Sequence, residues 1–523
     1  MLAVAACQPV ATVPKPARGG TAIEALLGQP AVLNPLFESN ESARDVDSLI
    51  YQGLTGVDAQ QNVVGVLASD WAVSIDHLTY TFNVRDNVKW ADGQPFSADD
   101  VLFTFHVLQD LEYTQPGADT WRQVGVAAGG RGQVVFTLRA PEASFPLTLR
   151  IGIIPKHIYQ GMAPAQISAS QYSAVRAFGT GPFRVGAINQ LAITLDRNQY
   201  AVPSPYLDHL VLRTYPATDP QLAIRAVLSG AADLVGGIQP REVETLQGRT
   251  DLLVQESRMF TNSFVTFNGE GDSKTFFGDP KVRVALVQAI DRQKLISNVF
   301  AGRADADPNP IPTAGWAYSA AAGALHPFDA IGAARALDQA GWVPDATTKV
   351  RARKGVVFHV TLVAADSYPN QQIADEIAHQ LADVGVQVEV KPLPASKLLT
   401  DYLLTRKYQM ALISIDVGAD PDQYWLWHSS AAAGALNFAY SRGWGIIDKD
   451  LEDGRAAVDP PSRLAAYIDF QMIMADVAPA IFLYAGRYEY AVSQRVHGVH
   501  LNKAIEPSDR FQYVTDWYVN TTG

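Results

Sequence analysis

The sequence predicts an α/β protein of more than one domain, on three observations. Strand and helix signals alternate along the chain instead of separating into an all-β part and an all-α part. Residues 358–390 read as a complete β-α-β unit, which implies a parallel sheet joined by a right-handed crossover. The chain has 523 residues with 48% hydrophobic side chains, too long for one core, so two or three domains are expected. No internal repeat or low-complexity tract is visible, which removes solenoids and propellers.

In the first half, residues 78–84 (LTYTFNV) alternate apolar and polar side chains at the period of a strand and run into the turn ADGQ at 91–94. Ser97, followed three residues later by Asp100, is a capping box whose hydroxyl and carboxylate satisfy free backbone donors. Val101, Leu102, Phe105 and Leu108 then give the helix an apolar stripe. Residues 134–138 (VVFTL) are another strand, 179–183 (GTGPF) a tight turn, and 191–195 and 210–212 strands beside Pro-rich loops. Asp219 and Pro220 open a helix, by cap and first-turn proline, that ends at Gly230.

In the second half, Asp279 and Pro280 start a further helix expected over 279–292. Residues 358–363 are strand-like, and 370–384 place Ile373, Ile377, Leu381 and Val384 on one helical face. Gly385 ends that helix before the strand 386–390, and the apolar run 410–415 is a neighbouring strand. Ligands of open α/β sheets bind beyond the carboxyl ends of strands, and the segment there is 416–428, DVGADPDQYWLWH. Residues 462–476 form a helix and 479–483 a strand, after which the chain returns to its first part.

Composition narrows the function classes. A net charge of −12 and the lack of any Lys/Arg run leave no field for nucleic acid. No run of about 18 apolar residues is available to span a bilayer as a helix. The single cysteine, Cys7, excludes an internal disulfide and a multi-thiolate metal site. Enzyme signatures are missing: there is no G-x-S-x-G elbow, no P-loop, no H-E-x-x-H and no G-x-G-x-x-G turn. His497 and His500 would point to opposite faces of a strand, and His428 reads best as a packed structural histidine. Neither a metal nor a cofactor is expected.

Four stretches resemble one known family: SDWAVSIDHLTYTFNVRDNVKWADGQPFSADDVLFTFHVLQD at 69–110, the GTGPF turn, VRVALVQAIDR at 282–292 and DPDQY at 420–424. They are similar to the family 5 extracytoplasmic solute-binding proteins, the dipeptide, oligopeptide and nickel receptors of ABC importers. The resemblance runs from about residue 21 to 517. It implies a periplasmic-binding-protein-like fold of type II, with two lobes, a hinge and an extra subdomain in the first lobe. The expected partition is a tether at 1–20, lobe I from 21–51, 179–265 and 485–523, the extra subdomain at 52–178, and lobe II at 266–484.

What the resemblance implies functionally is capture of a small solute, most simply a di- or oligopeptide, in the interlobe cleft by a monomer that delivers it to a permease and its ATPase. A nickel chelate, an oligosaccharide or an opine would suit the same fold. In peptide-binding members an aspartate of the 416–428 loop pairs with the ligand α-ammonium. Here Asp416 stands one place early for that role, and anchoring, capping and simple solvation stay open for it. Asp420 reads first as a cap for a helix started by Pro421. Tyr424, Trp425 and Trp427, with Trp316 and Tyr484, are candidates for an aromatic cleft wall, and Asn34 and Phe37 for the first-lobe side. Residues 4–7 (VAAC) resemble the end of a lipoprotein signal, which would make Cys7 the lipidated residue outside the cytoplasm; six residues cannot hold the rest of such a signal, so a start further upstream is expected. Two readings of other classes are an extracytoplasmic hydrolase using Asp416 and Asp420, and a receptor that has left transport for sensing or adhesion.

Overall fold

The computed structural model describes residues 15–38, 40–430, 436–439, 445–503 and 506–522, so Cys7 lies outside the described residues. Its centre is a twelve-stranded mixed sheet. From one edge the order is Gln387–Leu393, His359–Ala365, Met410–Asp416, Thr261–Phe267, Ala480–Ser493, Leu234–Gly236, Thr21–Leu27, His209–Tyr215, Ala192–Arg197 and Phe183–Ile188. Leu252–Arg258 and Ala304–Ala306 also pair with Ala480–Ser493.

The β-α-β unit forms as its pattern demands. His359–Ala365 and Gln387–Leu393 are parallel neighbours, and Met410–Asp416 pairs with His359–Ala365 in parallel on the other side. The helix Asn370–Asp383 buries Ile373, Ile377 and Leu381, and Gly385 takes the left-handed φ of 81° that lets the chain leave it. Three expectations are corrected. The predicted helix 279–292 is two helices, Pro280–Gln288 and Arg292–Phe300, because Asp291 accepts from the Lys294 N–H and caps a new start. The strand expected at 479–483 extends to 14 residues, Ala480–Ser493. At Ser97 the capping box is half formed: Asp100 accepts from the Ser97 N–H at 2.9 Å, while the hydroxyl turns to the same carboxylate at 3.3 Å.

The apolar residues gather around the two ends of Ala480–Ser493. One cluster joins Ala22, Leu49, Phe82, Phe136, Phe183 and Trp517, so the four-stranded sheet of Ala68–Val73, Thr79–Val84, Gln133–Thr137 and Gly125–Ala128 shares its core with the first strands and the C-terminal segment. The clusters around Phe267, Trp342, Ile377 and around Phe264, Trp427, Phe470 belong to the other end. A small cluster of Val57, Phe260, Ala314 and Ala419, with Leu147 against it, bridges the two ends. The GTGPF turn packs so closely on the helix Glu41–Ile50 that a Cβ on Gly179 would overlap the Ile50 carbonyl, which explains why glycine stands there. Among the described residues no helix is long and apolar enough to cross a membrane.

A buried ion cluster ties the chain ends to the first core. Arg510 donates to both oxygens of Asp45 at 2.6 and 2.8 Å and to Glu24 at 3.0 Å, and Tyr490 donates to the second Glu24 oxygen at 2.7 Å. Removing the cation leaves two enclosed carboxylates facing each other. Arg510→Met should therefore cost about 3–5 kcal/mol, read as a loss of urea midpoint with an unchanged m-value.

Candidate functional site

The strand Met410–Asp416 points its carboxyl end at the junction of the two halves. Asp416 ends it, opposite Thr261, and its Oδ1 accepts from the Gly418 N–H at 2.9 Å, an Asx turn that fixes the side chain. Gly418 has the φ of 72° that this turn needs. Asp416 is exposed and has no ion-pair partner among the described residues. Crowding by protein, with Glu506 and Asp509 nearby, nevertheless pushes its carboxyl up to about 6, and Arg150 pulls the other way. The water on its open edge tempers that shift.

The groups acting on Asp416 line a cavity of about 460 Å³ on the first-half side. Its charged residues are Glu38, Arg44, Asp47, Arg150, Glu506 and Asp509. Helix Glu41–Ile50 contributes Arg44 and Asp47 from one face, because residues three apart are neighbours, while Asp45 turns to Arg510. Gly152 closes the wall where a Cβ would press on Pro35 and Tyr51 at 2.8 Å. Arg150 donates to Asp509 at 2.5 Å, and Arg44 approaches Glu506 at only 4.0 Å with both side chains 41% exposed. Asp47 is 1% exposed and neither oxygen has a hydrogen-bond partner; the Asn34 amide leans on it without reaching hydrogen-bond geometry. Burial first and Glu38 second drive its carboxyl well above the usual range. Glu38 itself is pushed up to about 8 by burial and then by Glu506.

The other residues singled out from the sequence are distributed differently. Asp420 is held by Arg463 through both oxygens, at 2.9 and 3.0 Å, and accepts from the Asp422 N–H. No helix starts at Pro421; the short helix is Tyr424–Trp427 and Asp422 accepts from its first N–H. Trp427 is packed among Phe264, Phe438 and Phe482 and donates to Gln423. Tyr484 is buried against Phe300. Tyr424 stacks on His428 at 3.8 Å beneath Arg455, and His428 is buried with Ser430 and Glu452 as partners. Trp425 and Trp316 keep open faces, 41% and 46% exposed. Asn34 is fully buried, donating to Ser173 and accepting from the Leu36 N–H, and Phe37 lies edge-on to Tyr113. Among the described residues no cluster of His, Cys, Asp and Glu has metal-binding geometry. The cavity acids were missed because they come from two stretches more than 450 residues apart, 38–47 and 506–509; the only local signal was the acidic run around 38–47.

Residues 62–436 match the family described as bacterial extracellular solute-binding proteins, family 5. The chain belongs to that family. The oligopeptide-binding protein AppA of Bacillus subtilis (strain 168) is 24% identical over 492 residues, which is 92% of this chain and 89% of AppA. The structure of Bacillus subtilis AppA in complex with a nonapeptide matches with a TM-score of 0.77 at 22% identity, covering 97% of this chain and 100% of that one. The ABC transporter substrate-binding protein CtaP of Listeria monocytogenes matches with a TM-score of 0.82 at 24% identity, covering 96% and 99%. The type II periplasmic-binding-protein fold expected from the sequence is the fold of this family 5 chain.

The raised carboxyls give a signed pH dependence. Native Glu38, Asp47 and Asp416 bind protons more tightly than the unfolded chain, whose values are 4.5 for Glu and 3.8 for Asp. Between about pH 4 and 8 the native state therefore holds the extra protons, and stability falls as pH rises. The Tm of the ligand-free protein should be higher at the acid end of that window. Asp416→Asn should flatten the curve below about pH 6 and Glu38→Gln below about pH 8; an unchanged curve in both would refute the assignment.

Proposed function

We propose that this chain is the receptor of an ABC importer, capturing a peptide between its halves and handing it to a permease driven by a separate ATPase. The observation that carries this reading is that Asp416, at the end of the second-half sheet, lies within electrostatic reach of Arg150, Glu506 and Asp509 of the first-half cavity. A ligand placed there touches both halves. Family membership supports solute capture, and the relative AppA, named for binding oligopeptides, supports a peptide as the solute. No bond is made or broken in this role, and Asp420 serves as Arg463's structural partner.

In this reading the lobes follow the partition 21–51, 179–265 and 485–523 against 266–484, with 52–178 as the extra subdomain, and the strands crossing between them act as the hinge. The ligand gains its second set of contacts only in the closed form, so binding shifts the open-closed equilibrium by its differential affinity. Asp416 holds the peptide α-ammonium, a charge-assisted contact that fixes orientation while side chains vary. Trp425 and Trp316 offer the open aromatic faces. The receptor works as a monomer outside the cytoplasm, tethered by lipid on Cys7.

Asp416→Asn should weaken binding of a free-amine peptide about tenfold to a hundredfold, as loss of a charged hydrogen bond implies, and leave the N-acetylated peptide unaffected in calorimetry. Equal loss for both peptides would remove the anchor. Small-angle scattering should show a smaller radius of gyration at saturating peptide, and an unchanged radius would count against closure.

A further inference from the structure

The first-half cavity carries more carboxyl groups than its own cations can balance. Among the described residues its wall holds the carboxyl groups of Glu38, Asp47, Glu506 and Asp509 and the guanidinium groups of Arg44 and Arg150, a surplus of two acids. The pairing is also uneven. Arg150 is committed to Asp509 at 2.5 Å, whereas the contact of Arg44 with Glu506 is long and open to solvent. Asp47 supplies the independent observation: it is 1% exposed, lies in the cavity wall, and has no hydrogen-bond partner on either oxygen. A buried carboxyl without donors costs stability unless something positive or protonated stands near it.

We propose that this cavity takes a basic side chain of the bound peptide, lysine or arginine, whose cation pairs with Glu38 and Glu506 while Asp47 adds its uncompensated charge from behind. The inference rests on the peptide-receptor reading and names the chemistry of its cargo. It is separate from the α-ammonium contact at Asp416, since the acids concerned come from the loop before helix Glu41–Ile50, from the helix itself and from the C-terminal segment. A volume of about 460 Å³ falls within the range of small-ligand clefts and accommodates a long side chain. The wall is polar where a basic side chain ends and apolar along Pro35, Leu147 and Ile151, which suits a methylene stem carrying a charged tip.

The empty cavity is balanced by protons, and the arriving cation should displace them. Glu38, at about 8, faces Glu506, Asp45 and Asp47 as acids and Arg44 as its counter-charge. A basic peptide should therefore release protons on binding near neutral pH and bind more weakly in acid.

The test uses the full-length protein and two short synthetic peptide libraries that differ only in lysine against Nε-acetyl-lysine at the same position. Native mass spectrometry should show the lysine library retained about tenfold more strongly, and calorimetry in two buffers of different ionisation heat should show proton release for it alone. Glu38→Gln and Asp47→Asn should each reduce the ratio of the two affinities severalfold. If Asp47→Asn fails to fold, Glu38→Gln, at a partly exposed position, decides the matter. Equal retention of both libraries, or a ratio that neither variant changes, overturns the basic-side-chain inference and leaves the peptide reading standing. A preference that follows acetylation of the α-amine in place of the lysine overturns it too. Retention of neither library overturns both.

Discussion

Everything in the molecule is arranged around one strand that two cores must share. Ala480–Ser493 pairs with Thr261–Phe267 at its beginning and with Leu252–Arg258 and Leu234–Gly236 further on, so the backbone of a single segment runs out of one packed half and into the other. Its register with Thr261–Phe267 slips between Ser263 and Phe264, next to the place where the partner strand changes. The burial of Phe482 and Tyr484 belongs to the second half and that of Tyr490 and Val492 to the first. The strand is thus fixed at both ends by apolar packing, and the two halves are held to each other through its backbone.

Charge then decides what that space can hold. Helix Glu41–Ile50 is the pivot: one face sends Asp45 into the buried cluster with Arg510 and Glu24, and another sends Asp47 and Arg44 to the cavity wall. The two aspartates are two residues apart in sequence and differ in fate because one finds a guanidinium and the other finds none. In a low-dielectric setting that difference separates an ion-paired carboxyl group from one left waiting for a proton or a cation. In the second half, Asp416 and Asp420 repeat the contrast, the first exposed and the second clamped by Arg463.

The β-α-β unit, the Asp279-Pro280 helix start and the glycine-terminated helix were legible because each rests on spacing within a dozen or so residues, where periodicity and capping chemistry act locally. The long strand was read short since its later residues, YEYAVS, look like a separate element when the pairing partners are unknown. Asp416 could be found from the rule that ligands meet the carboxyl ends of strands. The aromatic residues beside it could not be sorted: Trp425 and Trp427 lie on the same short helix, yet one is 41% exposed and the other 1%, a difference set by the packing of Phe264, Phe438 and Phe482 from distant segments.

By itself the sequence determined the α/β class, the family wording and the lack of enzyme signatures, because these are properties of short stretches and of composition. Only the tertiary structure decided which carboxyl groups are paired, which are left alone and which share a cavity. Glu38, Asp47, Arg150 and Glu506 are brought together from parts of the chain separated by most of its length. Their ionisation depends on the distances and burial that folding creates, and no local pattern encodes either.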